Sequence, residues 1–84
     1  MSVIAPPEPP DEWDKAEKFF GLDFAVKEIA RRAIDFNIVR FELCLADDYN
    51  QIARIMGSYN GSLPMLISGK RYLCYYKLGP EGKL

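Results

Sequence analysis

Ile38-Val39-Arg40-Phe41-Glu42-Leu43-Cys44-Leu45 is the stretch on which the fold turns. Val39, Phe41, Leu43 and Leu45 fall on one side of an extended chain, and Ile38, Arg40, Glu42 and Cys44 on the other. That period of two marks a strand with one wholly apolar face. Such a face has to be covered, and the chain on both sides of it carries helical spacing.

Upstream, Asp23 to Phe36 reads as a helix capped by Asp23. Leu22, Val26, Ile29, Ala30, Ala33 and Phe36 form its apolar stripe, and Lys27, Glu28, Arg31, Arg32 and Asp35 its wet side. Glu28 stands four before Arg32, the favourable order for a surface pair. Asn37 supplies a left-handed stop. The Arg31-Arg32 pair has acidic neighbours on the same face, so it reads as a solvated face rather than a phosphate grip. Before it, Asp11 caps a short helix with Trp13, Ala16, Phe19 and Phe20 on one face, ended by Gly21. Residues 1–10, MSVIAPPEPP, hold four prolines and no period. They predict a loose arm in which only Ser2 to Ala5 could add an edge strand.

Downstream, Asp47-Asp48 opens a third helix whose buried stripe is Tyr49, Ile52, Ala53, Met56 and Tyr59. Two adjacent carboxylates could begin a metal site, but no third ligand is near, and capping is the expectation. Asn60-Gly61-Ser62 is a turn. Met65 to Ile67, the Ser68-Gly69 turn and Lys70 to Tyr76 then make a hairpin. The order is helix, helix, strand, helix, strand, strand, an α/β (α+β) domain of three or four strands and two or three helices. Its predicted core is Val26, Ile29, Ala33, Val39, Phe41, Leu43, Ile52, Met56, Leu66 and Ile67.

With 84 residues, this is a single domain over 11–84 behind the 1–10 arm. A 49% apolar content with eleven aromatics supports one real core. No run is long enough to span a bilayer, and no basic segment leads into a cleavage site, so the expected location is cytoplasmic. Cys44 and Cys74 are thirty apart with no CxxC, and they read as small buried hydrophobes. Histidine is absent, which removes the commonest general base, the commonest zinc ligand and every Ser-His or Cys-His nucleophile. The net charge of −1 hides a −4 balance over residues 1–23 and +3 over 64–84. An acidic front and a basic rear favour docking by charge.

The segment from Ile38 to Leu84 resembles the second half of a glutaredoxin, a small thioredoxin-fold protein. Three features carry the likeness: Ser62-Leu63-Pro64 after a capped helix, then Pro64-Met65-Leu66-Ile67-Ser68-Gly69-Lys70, and the ending Glu81-Gly82-Lys83-Leu84. It implies a minimal thioredoxin-like sheet, a cis bond before Pro64, and Met65–Ile67 lying beside the Ile38–Leu45 strand. Leu63 would then hold its backbone open to an extended peptide. The departures are large. Gly21-Leu22-Asp23-Phe24 stands where the redox CxxC belongs, and Leu73-Cys74 replaces the paired glycines that admit glutathione.

A domain that has lost that chemistry is expected to be a non-enzymatic binding module for a larger protein, with neither cofactor nor metal. The expected contact residues are Leu63, Pro64, Lys70, Arg71, Tyr72, Tyr75 and Tyr76, where tyrosines interleave with cations. The same hairpin has the composition of a single-stranded nucleic-acid platform, although a pI near 5.3 weighs against it. A monothiol redox protein using Cys74 is the third reading, and it needs an exposed, activated thiol.

Overall fold

A computed structural model describes residues 13–80 of the chain. The proline-rich arm, the Asp11 cap and the Glu81–Leu84 ending lie outside the described residues. The elements are β1 (Glu17–Phe19), α1 (Leu22–Phe36), β2 (Ile38–Leu45), α2 (Tyr49–Ile55), β3 (Gly61–Ile67) and β4 (Lys70–Leu78). Single 3-10 turns, Trp13–Lys15 and Met56–Ser58, precede β1 and follow α2. This is a small α+β fold.

The four strands form one sheet in the order β1-β3-β4-β2. β1 runs parallel to β3, while β3–β4 and β4–β2 are antiparallel. Chain connectivity explains where the helices go. From β1 the chain crosses the whole sheet to β2, and from β2 it comes back past β4 to β3. Parallel crossovers share one hand, so two that travel in opposite directions must use opposite faces of the sheet. Two separate cores result. Between α1 and the sheet, Ala25 and Ile29 pack on Met65, Ile67 and Cys74; between α2 and the sheet, Ile52 packs with Cys44, Leu73 and Tyr75.

Several sequence expectations change here. The first predicted helix is instead a 3-10 turn and a strand. Phe19 pairs with Ile67, and Ser68 ties down the segment's end through its amide on the Phe19 carbonyl (3.0 Å) and its hydroxyl on the Phe20 carbonyl (2.7 Å). So short a helix is marginal alone, and sheet pairing satisfies the same backbone groups. α1 starts at Leu22 with Gly21 as its N-cap, which leaves Asp23 in the first turn. Its buried line runs through Ala25 and Ile29, so Val26 and Ala30 are exposed. Ala25 is fully buried, and its small side chain lets α1 sit close to the sheet. Val39 also leaves the predicted core, because a register shift between Ile38 and Arg40 turns it outward. Met56 is exposed because the helical stripe breaks into the 3-10 turn there. Phe41, Leu43, Ala33 and Leu66 are half-buried, while Ile29, Ile52 and Ile67 are core.

Other local readings hold. Asn37 closes α1 at φ 56°, and Asp48 accepts from the Gln51 amide at 3.3 Å as the α2 cap. Ser68 and Gly69, at φ 52° and 78°, make the left-handed two-residue turn that a tight hairpin requires.

Candidate functional site

An apolar concavity lies between the C-terminal half of α1 and the sheet. It encloses about 330 Å³ and is lined by Ile29, Arg32, Phe36, Ile38, Leu63, Tyr76 and Leu78, with the Cys74 thiol on its floor. The end of α1 overhangs the point where β2 begins and β4 finishes, and no described element fills the space between them. Phe36 is 62% exposed and Leu78 42% at the mouth, with Val39 (58%) beside Gly79. One wall is fixed by a close approach. Gly61 pairs with Tyr76, and a β-carbon at Gly61 would come within 2.6 Å of the tyrosine oxygen.

Arg32 is the one charged group in the lining, and it is committed. Its guanidinium grips Glu17 of β1 at 2.7 and 2.8 Å and Glu28 at 2.6 Å. Its hydrogen bonds to Glu17 and then to Glu28 hold its pKa above the usual arginine value. Arg31 takes the other side of Glu28, and bonds from Arg31 and then Arg32 pull the Glu28 carboxyl below its ordinary range. The arginine pair thus ties β1 to α1 and leaves no free cation for phosphate.

The seven expected contact residues do not form one surface. Alternation along β4 sends Tyr72 and Tyr76 to the α1 side and Tyr75 into the core under α2, where it lies 6.2 Å from the Tyr59 ring. Lys70 and Arg71 are exposed at the hairpin end. There Arg71 sits 5.4 Å over the Trp13 ring, beside a second and more polar cleft of about 550 Å³ that includes Leu45, Asp47 and Tyr49. The Trp13 Nε1 is buried without a partner among the described residues.

The peptide groove expected at Leu63-Pro64 is also different. No cis bond occurs among the described residues. Met65–Ile67 lies between β1 and β4, and the whole of β4 separates it from β2. Ala46 donates to the Arg71 carbonyl, so Arg71, Leu73 and Tyr75 turn their backbone groups toward β2. By alternation, Cys74 turns its own toward β3, which commits the Leu63 backbone to Cys74. Pro64 instead faces the outer side, just before β1 begins to pair at Met65, so its missing N–H costs no ladder bond.

Cys74 is 1% exposed, and burial pushes its thiol up to about 11. The monothiol reading requires the opposite. Cys44 is buried and raised too, by burial and then by Asp48 and Glu42. Among the described residues no three His, Cys, Asp or Glu side chains gather as metal ligands, and no helix is long and apolar enough to cross a membrane.

Comparison with protein-family models, curated proteins and solved structures finds no match to this chain. The groove was not legible in the sequence. Its residues come from α1, β2, β3 and β4, and the one local hint was the apolar Phe36, Ile38 and Leu78 at element ends.

Proposed function

We propose that this chain is a non-enzymatic protein-binding module, an accessory or inhibitory subunit that receives apolar side chains of a larger protein in the groove beneath the end of α1. The observation that carries this reading is the groove itself: an apolar concavity whose mouth exposes Phe36 and Leu78. Exposed apolar area gathered round a pocket is what interaction surfaces provide, and aromatic anchors in such pockets carry most of the binding energy. With Arg32 neutralised by Glu17 and Glu28, the groove favours an apolar anchor over an anion.

The test is affinity capture from host lysate with wild type, Phe36→Ser, Leu78→Ser and Lys70→Ala/Arg71→Ala. Both groove variants should lose the captured protein, while the hairpin variant keeps it, with or without nuclease. Retention by both groove variants would overturn the reading. A second reading, single-stranded nucleic acid, is favoured by Lys70, Arg71, Trp13 and Tyr49 around the polar cleft. It predicts capture that is lost with nuclease and with the hairpin variant, and that weakens as salt rises.

A further inference from the structure

The two edges of the sheet are protected very differently. β1 is three residues long, whereas β2 runs for eight, carries no proline, and pairs with β4 on one side only. A long strand edge of this kind is a template for another strand. The Leu45 carbonyl accepts from the Asp48 amide at 3.0 Å. Because Ala46 donates to the Arg71 carbonyl, alternation along the register assigns Cys44 and Glu42 to β4 and turns outward the N–H and C=O of Phe41 and Leu43 and the N–H of Leu45. Among the described residues no element takes them.

We propose that this edge is a self-association surface, and that two copies pair β2 to β2 antiparallel to give one continuous eight-stranded sheet. The charge pattern selects the register. With Phe41 on the two-fold axis, Arg40 of each copy stands opposite Glu42 of the other, and Val39 opposite Leu43. Arg40 and Glu42 share the α2 face. Arg40 lies 5.2 Å over the Tyr59 ring, and Glu42 accepts from Tyr59 Oη at 2.9 Å and Gln51 Nε2 at 3.0 Å. Each carboxylate oxygen then takes one bond, which leaves acceptor capacity for a facing guanidinium. A partner with an arbitrary edge would not match both charges. A second copy matches them twice by symmetry. Val39, mostly exposed in the single chain, would be covered.

Wild-type protein supplies the first test. Hydrogen exchange at the amides of Phe41, Leu43 and Leu45 should slow as concentration rises, in step with dimer mass by sedimentation equilibrium. Concentration-independent exchange, or a monomer throughout, overturns the proposal. Arg40→Glu places like charges across the axis twice and should weaken association about tenfold or more. Arg40→Glu/Glu42→Arg should restore it, and equal weakening in both variants overturns the register. Should charge reversal disturb the Tyr59 contacts and the fold, Val39→Lys decides. It alters an exposed position, so it should leave the circular dichroism unchanged and lower association; unchanged association overturns the proposal. If removal of residues 2–10 is needed before dimers form, the arm and not a second copy occupies the edge, which also overturns it. Groove variants should leave dimerisation intact, so this inference and the proposed function fail separately.

Discussion

The two faces of the sheet hold together by different means. The α1 face has a fifteen-residue helix over Met65, Ile67 and Cys74, yet its helix end leaves an open groove. The α2 face has only seven helical residues, packing Ile52 on Leu73, Cys44 and Tyr75; polar bonds fasten one side of its rim, and the polar cleft beside Trp13 and Tyr49 opens at another. Tyr59 and Gln51 both donate to Glu42, and Arg40 donates to the Ser58 carbonyl at 3.2 Å. The long helix packs on the sheet through Ala25 and Ile29 and leaves the part of that face beneath its C-terminal end uncovered. The short one has to be fastened at its edge.

Truncating one core residue on each face is the strongest way to break that contrast. Ile67→Ala, under α1 on the inner strand β3, should cost about 3–5 kcal/mol. Against a typical total of about 5–15 kcal/mol, that approaches unfolding, and urea denaturation measures it. A loss below about 1 kcal/mol would deny that this face is the main core. Ile52→Ala should cost somewhat less, about 2–3 kcal/mol, because two helical turns can settle onto the vacated space. Equal losses at the two positions would mean that helix length does not separate the faces.

The polar fastening is tested by Tyr59→Phe, which keeps the ring against Tyr75 and deletes the bond to Glu42. It should cost about 1 kcal/mol by urea denaturation. No loss would leave the short helix without its proposed clasp. Phenol absorbance should also follow: burial and the bond to Glu42 raise the Tyr59 pKa, and burial raises that of Tyr75, so two tyrosines should ionise above the ordinary value of 10 and the variant should keep one of them.

The smallest effect belongs to the α1 surface. Glu28 has its folded-state pKa lowered from 4.5 by Arg31 and then Arg32. A depressed carboxyl contributes stability above its unfolded value and loses it as pH falls through the folded value. Glu28→Gln should therefore melt below wild type at neutral pH, and the gap should close from about pH 4.5 downward, as read by thermal melts across that window. A gap that stayed constant down to pH 2 would show that charge is not what Glu28 contributes. The pair is exposed, so the whole effect is small.

What could be read from the chain alone was whatever neighbours in sequence decide. The alternation from Ile38 to Leu45 gave that strand, and Asn37, Asp48 and Ser68-Gly69 gave its flanking stop, cap and hairpin turn, because each depends on backbone conformation within a few residues. The class, a small α+β domain, follows from those elements in order. Trp13 to Phe20 could not be read correctly. Its helical spacing is real, but Phe19 gains more by pairing with Ile67, a residue forty-eight positions away. Nor could the sequence show that β4 would separate β3 from β2, that Tyr75 would turn inward while Tyr76 lines a groove, or that β2 would be left as an edge. Strand order and facing are set by which distant segments bury their apolar sides together, and only the assembled sheet decides that.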